Sequence, residues 1–171
     1  MLMDVLLFGD ETLRKKAGEV PAVTPDIRKL AEDMLETMYY HEGLGLAAPQ
    51  VGVSLRLCVM DVHREGCGKI ILINPIIREC GAAETVEEGC LSFPEIRASV
   101  ARAVEVTVEF IDLSGKRKSK KVSGLTAQAV QHELDHLDGV LLVDRMGRAR
   151  RAMLAARLRA LKKRGEKGEH R

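Results

Sequence analysis

Aromatic residues are scarce in this sequence of 171 residues, which has two Tyr, three Phe and no Trp. Aliphatic side chains must therefore fill the hydrophobic core, and a platform of rings that stacks on nucleic-acid bases is not expected. The remaining composition, with 46% hydrophobic and 30% charged residues, is ordinary for a globular protein. A chain of this length is expected to form one domain with a substantial core.

The sequence also lacks a strong net charge, a long apolar run and a Cys-x-x-Cys pair. The net charge of +2 gives no general reason to expect a nucleic-acid or membrane partner. The apolar start, Met1–Phe8, is interrupted by Asp4, is too short to cross a membrane and lacks a signal-peptide cleavage site. We therefore expect a cytoplasmic protein with thiol cysteines that binds neither a membrane nor DNA.

One segment carries the pattern His-Glu-x-x-His, formed by His132, Glu133 and His136. Positions four residues apart lie on one face of an α-helix, so the two imidazoles can hold one metal ion. Glu133 would then lie beside a water molecule as a general base. Thr126 is predicted to cap this helix and Gly139 to end it. The pattern has only three constant positions and also fits a surface helix with two solvated histidines.

A catalytic site of this type needs a third protein ligand and one open position. The downstream residues do not provide an obvious one. Leu142 occupies the position where a metzincin protease has its third histidine. Asp144 is possible but follows the motif closely, and the next acids, Glu166 and Glu169, lie in a charged tail.

Among upstream residues, Cys90 is the preferred third ligand. Its neighbours Gly89 and Pro94 predict an irregular segment, in which the backbone can approach a metal closely. Cys58 lies in an apolar run and is expected to be a small core residue. Spacing alone favours Cys90 only modestly over the two remaining cysteines, at positions 67 and 80, which lie beside glycines in predicted turns.

A third segment, residues 43–50, reads Gly-Leu-Gly-Leu-Ala-Ala-Pro-Gln. Its small residues allow the backbone to approach a substrate or another strand closely. Gln50 could donate a hydrogen bond to a developing oxyanion. Taken alone, Gly-x-Gly is more typical of a plain turn.

Hydrophobic periodicity predicts the arrangement of helices and strands. Thr24-Pro25-Asp26 is typical of a helix start, and the helix is expected to end near Tyr40. Strands are predicted over 55–62, 69–73, 104–111 and 118–122, with a turn around 65–68 and with Pro75 closing the second strand. A final helix is predicted over 145–163, before a frayed tail. The order indicates an α+β fold, with antiparallel sheets packed around the His-Glu-x-x-His helix between an N-terminal and a C-terminal helix.

The three segments at 43–50, 88–92 and 131–139 together resemble the peptide deformylase family. That family has Gly-φ-Gly-φ-Ala-Ala-Pro-Gln, Glu-Gly-Cys-Leu-Ser and Gln-His-Glu-x-Asp-His-Leu-x-Gly in this order, and the likeness extends from about Met3 to Met146. The resemblance implies a metal-dependent hydrolase that removes the formyl group from the formylmethionine of nascent polypeptides and releases formate. It also implies a catalytic deformylase region at 1–147, with a basic helix and tail at 148–171 as part of the same domain.

The resemblance assigns a role to each matching residue. The implied metal ligands are Cys90, His132 and His136. Glu133 would be the catalytic acid and base, and the oxyanion site would combine the Gln50 side chain with the Leu91 backbone N–H. The implied substrate-binding residues are Leu44, Gly45, Val86, Gly89, Arg97, Leu125 and Ala129. Leu44 stands where the family more often has Ile or Val, a change that keeps the side-chain volume.

The resemblance further implies the cofactor and partners. Fe(2+) is the expected metal, with zinc, nickel or cobalt able to replace it in purified protein. The expected substrates are N-formylmethionyl nascent peptides, and the basic C-terminal helix could contact the ribosome transiently.

The alternative function is a metallopeptidase that cuts internal peptide bonds, which the missing downstream ligand disfavours. A second alternative is an RNA- or ribosome-binding module.

Overall fold

The computed structural model describes residues 1–62 and 68–171. Most of the turn predicted around 65–68, together with Cys67, lies outside the described residues. The predicted α+β class is confirmed. The strands are β1 (Gly45–Ala47), β2 (Leu57–Asp61), β3 (Lys69–Cys80), β4 (Ala83–Cys90), β5 (Phe93–Ala103), β6 (Glu105–Ile111) and β7 (Arg117–Ser123). The helices are α1 (Pro25–Tyr40), α2 (Gly124–Leu137), α3 (Leu142–Arg145), α4 (Arg148–Met153) and α5 (Ala155–Glu166), with 3-10 turns at Glu11–Arg14 and Ala48–Val51.

Helix α2 lies between two antiparallel sheets, as predicted for the His-Glu-x-x-His helix. The larger sheet has the order β1-β2-β3-β6-β7, and β4 pairs with β5 in a separate hairpin. Helix α2 contacts strands of both sheets. Strand β2 is buried along its whole length because α1 and α2 both pack against it, and Cys58 within it is the predicted core residue.

Helix α1 has the predicted start and end. The Thr24 side chain accepts a hydrogen bond from the Ile27 N–H at 3.3 Å, which satisfies one of the free donors at the helix start. Pro25 occupies the first helical position, where its missing N–H costs nothing. The buried face, which includes Met34 and Met38, packs against the β1–β2 side of the larger sheet.

The prediction that Pro75 closes a strand is wrong, since β3 continues to Cys80. The register of β3 against β6 shifts between Ile73 and Ile76, and Asn74 has a φ of 50°. A bulge of this kind tolerates a proline because the extra residue needs no ladder hydrogen bond. The Asn74 side chain stabilises the bulge by bonding to both the N–H and the carbonyl of Val20, at 2.8 and 2.9 Å.

The prediction of an irregular segment around Cys90 is also wrong. This region is the tight end of the β4–β5 hairpin, where Cys90 pairs with Phe93 after a register shift at Gly89. Strand β4 was not predicted from hydrophobic alternation because it is mostly exposed and polar, with Glu88 as its one buried residue. Strand β5 does alternate, placing residues such as Ile96 and Val100 in the core.

Helix α2 begins three residues earlier than predicted. Ser123 is the residue before its first turn, and the predicted cap Thr126 is buried inside the helix. The predicted stop at Gly139 is confirmed by its φ of 73°. A β-carbon at Gly139 would lie 2.5 Å from the Arg14 carbonyl oxygen, so only glycine fits.

The prediction of a single helix over 145–163 is wrong, because this region is divided among α3, α4 and α5. Met146 is buried in extended conformation, and Leu154 ends α4 while its side chain enters the core. Beyond α5, the N–H and carbonyl of Arg171 bond to Val5 at 2.9 and 3.1 Å. None of the helices in the described part of the chain is long and apolar enough to span a lipid bilayer.

Helix α5 packs closely against the backbone of residues 7–9. A β-carbon at Gly165 would lie 2.4 Å from the Phe8 carbonyl oxygen, and one at Gly9 would lie 2.0 Å from the Lys162 carbonyl oxygen. The apolar face of α5, with Leu158 and Leu161, is buried in the same region. Two glycines therefore set the distance at which α5 docks.

We predict that Gly165→Ala destabilises the protein, although alanine is the better helix former. The added methyl group must displace backbone, so the free energy of unfolding should fall by about 1–3 kcal/mol. Urea unfolding followed by circular dichroism measures this. The matched control is Gly147→Ala, which has no atom within 4 Å of its β-carbon and should change stability by no more than about 0.5 kcal/mol. Equal stability of the two variants would contradict the close packing.

Candidate active site

Three metal-ligating side chains meet where the end of the β4–β5 hairpin faces α2. Cys90 ends β4, while His132 and His136 lie one turn apart on α2. Their ligand atoms all lie within 4.8 Å of one another, and Cys90 Sγ is 3.2 Å from His136 Nε2. The structure thus brings the three predicted ligands together from two elements.

The donor set fits a divalent transition-metal ion, since a sulfur and two imidazoles are typical ligands of such ions. Burial, followed by the positive charges of His132 and Arg102, lowers the pKa of His136 well below its usual value. His136 is therefore the neutral imidazole that metal binding requires. Its Nδ1 has no hydrogen-bond partner among the described residues.

A series of hydrogen-bonded charged side chains, which begins at Glu88, orients His132. Glu88 Oε2 lies 3.0 Å from His132 Nδ1, which leaves Nε2 for an ion. Arg102 donates two hydrogen bonds to the Glu88 carboxylate, at 2.7 and 2.9 Å, and a third to Asp135 at 2.7 Å. Arg145 also pairs with Asp135, at 2.6 Å.

The carboxylate of Glu88 stays ionised despite its burial. Burial alone would raise its pKa, but the hydrogen bonds from His132 and Arg102 outweigh this and lower the pKa to about 2. Such a carboxylate accepts a proton only from a strong acid. It therefore holds the imidazole in place without exchanging protons near neutral pH.

Glu133 is a second buried carboxylate, with the opposite electrostatic environment. Its side chain is almost fully buried, and Oε2 has no hydrogen-bond partner among the described residues. Burial raises its pKa to about 7, and the charge of Glu88 adds to the rise. A group with this pKa can both accept and release a proton near neutral pH.

Gly45 provides the space for the Glu133 carboxylate. A β-carbon at Gly45 would lie 2.4 Å from Glu133 Oε1. Strand β1 can approach α2 this closely only because it has no side chain at that point. Gly45, one of the small residues of the segment 43–50, therefore shapes the site directly.

Gln50 points its amide nitrogen at the cysteine. Its Oε1 accepts a hydrogen bond from the Ala47 N–H at 2.8 Å, which fixes the orientation of the carboxamide. Nε2 then lies 3.6 Å from Cys90 Sγ and 3.3 Å from Ser92 Oγ. A donor next to the metal ligands is thus held in place before any substrate arrives.

A cavity of about 450 Å³ opens onto this cluster. Most residues predicted for the site line it: Leu44, Gly45, Gln50, Gly89, Cys90, Leu91, Arg97, Leu125, Ala129, His132 and Glu133. His136, the third candidate ligand, is not among the lining residues and is buried. Val86, which was predicted to line the pocket, is not among the lining residues and packs instead against the buried cluster that contains Phe93 and Ile96.

Other residues of the site were missed by the sequence analysis. Ser92 is fully buried and orients Gln50, and Phe93 lines the cavity while stacking on Phe8 with ring centroids 4.8 Å apart. Both directly follow the Glu-Gly-Cys-Leu stretch, so position next to Cys90 was the available signal. Arg171 also lines the cavity, and nothing in the sequence indicated it.

The downstream acids considered as alternative ligands lie elsewhere. Asp144 pairs with Arg14 and accepts a hydrogen bond from the Leu141 N–H at 2.8 Å. Glu166 and Glu169 form ion pairs on the surface of the α5 region. None of these carboxylates belongs to the metal-ligating cluster of the described residues.

Comparisons with known proteins agree with this geometry. A family model described as polypeptide deformylase matches residues 2–152. The peptide deformylase of Rhizobium meliloti (strain 1021) is 44% identical over 167 residues, covering 95% of this chain and 96% of that protein.

Solved structures give the same result. The crystal structure of peptide deformylase from Thermus thermophilus has 39% identity and a TM-score of 0.89, covering 98% of this chain and 99% of that chain. The structure from Thermotoga maritima has 43% identity and a TM-score of 0.82, covering 86% and 99%. Motifs, fold and nearly full-length similarity together show that this chain belongs to the polypeptide deformylase family.

Proposed function

We propose that this protein is a hydrolase that removes the formyl group from the N-terminal formylmethionine of nascent polypeptides. The products are formate and a free amino terminus, a step in N-terminal processing during protein biosynthesis. The observation that carries this proposal is the cluster of Cys90, His132 and His136 at the wall of a cavity that Glu133 and Gln50 also line. Cleavage of internal peptide bonds is not favoured, because the downstream acids lie away from the cluster.

In this mechanism Glu133 moves the proton. Cys90, His132 and His136 would hold a divalent ion, which would supply Lewis acidity to a water molecule near neutral pH. Glu133 accepts the proton from the water that attacks the formyl carbon, and it returns a proton to the departing amine nitrogen. Its pKa of about 7 suits both transfers.

Gln50 and the Leu91 backbone N–H would stabilise the negative charge that develops on the formyl oxygen. The Gln50 carboxamide is already oriented by Ala47 and Ser92, so it need not reorganise during the reaction. Removing one donor of this kind typically costs ~3 kcal/mol of barrier. The backbones of Gly45 and Gly89 would hold the peptide in extended form.

The methionine side chain would enter an apolar part of the cavity. Leu125 and Ala129 lie on α2 beside the His132 ring and all three line the cavity. Leu44 is partly exposed and also lines the cavity, as does Arg97, whose guanidinium lies 3.7 Å from the Glu87 carboxylate. Val86 would support this pocket from the core rather than touch the substrate.

We predict that the purified, ferrous-loaded protein releases formate from formyl-Met-Ala-Ser and leaves casein uncut. Glu133→Ala should keep its metal, since Glu133 is no ligand, but lose about 10²–10⁴-fold in kcat. Metal analysis and a formate assay measure the two properties separately. Casein cleavage without formate release would overturn the proposed function, and an empty metal site in Glu133→Ala would make Glu133 structural.

Fe(2+) is the metal we propose for the native enzyme, on the strength of the family resemblance. Both imidazoles must be neutral to bind a metal, so the thiolate of Cys90 with His132 and His136 would leave a divalent ion at net +1, a milder Lewis acid than three neutral ligands would give. Ligand types alone suit zinc equally well.

Iron loading predicts oxygen sensitivity. Activity should fall under air and persist under argon, whereas a zinc-substituted sample should have equal half-lives in both. Cys90→Ala should lose metal in equilibrium dialysis, because a ligand is removed. Equal half-lives of the iron-loaded enzyme under both gases would contradict the iron assignment, and normal metal binding by Cys90→Ala would contradict the third ligand.

Transient ribosome contact in the cytoplasm is a further part of the proposed function. Residues 148–171 carry ten Lys or Arg against two Glu. The cations of this region are exposed while its leucines are buried. Such a surface suits the phosphates of ribosomal RNA, from which binding releases counterions.

We predict that replacing four exposed cations by glutamine, at Arg148, Arg159, Lys163 and Lys167, weakens ribosome co-sedimentation at low salt. Binding by the unmodified protein should fall steeply as salt rises. The control removes the same charge from another exposed region, at Lys15, Lys16, Lys116 and Arg117. Equal co-sedimentation of both variants with the unmodified protein would argue against docking through 148–171.

A further inference from the structure

A second groove, of about 390 Å³, adjoins the active-site cavity. Cavity and groove share four residues: Pro94, Glu95, Ile96 and Arg171. The start of β5 and Arg171 therefore separate two parts of one continuous depression. A ligand that fills the cavity and extends past Arg171 enters the groove.

The walls of this groove are held firmly in place. One wall is α5, whose distance from the rest of the protein is set by Gly165 against the Phe8 carbonyl. The opposite end is formed by His170 and Arg171, which run antiparallel to Leu6 and Val5. Leu7, Ile96 and Leu161 back the groove with apolar side chains.

The groove is strongly basic. Arg157, Arg164 and Arg171 line it together with His170, against Glu95 as its acidic lining residue. Arg164 is paired with Glu169 at 2.7 Å. Arg157 and Arg171 form no ion pair with any residue that the structure describes. Two guanidinium groups are thus available to an incoming ligand along an apolar floor.

We propose that this groove, the downstream groove, binds the part of the formylated polypeptide that follows its first residues and that it favours acidic side chains there. The inference rests on the proposed function, which makes the substrate a polymer. An extended chain advances ~3.3 Å per residue, so only its first residues fit in the cavity. The rest must cross the rim, and the groove continues from that rim with complementary charge.

The test compares formyl-Met peptides in the absence of ribosomes. The substrates are a tripeptide and two nonapeptides, which share their first three residues and carry either Glu or Lys at the later positions. The unmodified enzyme should prefer the acidic nonapeptide in kcat/KM by about three- to tenfold, the range expected from two exposed ion pairs. The preference should lie in KM and shrink at high salt.

Charge reversal on α5 locates the effect. Arg157→Glu should abolish or invert the preference and leave turnover of the tripeptide unchanged. Arg159→Glu is the matched control, since Arg159 is also exposed on α5 but does not line the groove. The proposal is overturned if the unmodified enzyme treats both nonapeptides alike, or if the two variants lose the preference equally. Hydrolysis of the tripeptide in those cases would leave the proposed function intact.

Discussion

The buried ion pair between Glu88 and Arg102 joins the two halves of the site. Both residues lie on the β4–β5 hairpin, and each also bonds to α2, through His132 and Asp135 respectively. Removing one partner of such a pair leaves a buried charge without compensation, at a cost of about 3–5 kcal/mol. The pair therefore keeps the hairpin, which carries Cys90, in register with the helix that carries the histidines.

Two glutamates with opposite properties follow from this arrangement. Glu88 is surrounded by hydrogen-bond donors, and its pKa falls to about 2. Glu133 lies one residue beyond His132 but faces β1 at Gly45, and its pKa rises to about 7. Environment, and not residue type, separates the carboxylate that orients a ligand from the carboxylate proposed to transfer protons.

Close backbone contacts connect the site to the periphery. Gly165 lets α5 dock beside Phe8, and the Phe8 N–H in turn bonds to the Ser92 carbonyl at 3.0 Å. Ser92 orients Gln50. The basic end of the chain is thus joined to the reactive cluster through a short series of contacts, and this places the downstream groove at the rim of the cavity.

Much of the site was predictable because its motifs are local in sequence. One helical turn brings His132 and His136 onto the same face whatever surrounds them, and the segments 43–50, 88–92 and 131–139 together pointed to the family. The sequence alone therefore determined the class of fold, the candidate ligand types and helix α1, whose cap and apolar period lie within one segment.

Only the tertiary structure decided the features that depend on residues far apart in the chain. The β4–β5 hairpin is mostly polar and exposed, so its hydrophobic pattern was too weak to predict. Packing against distant segments sets three such features: the orientation of the Val86 side chain, the end of α3 at Met146 and the position of Arg171. Local pattern specifies which groups are present, and long-range packing specifies where they point, because side-chain contacts form only once the elements have docked.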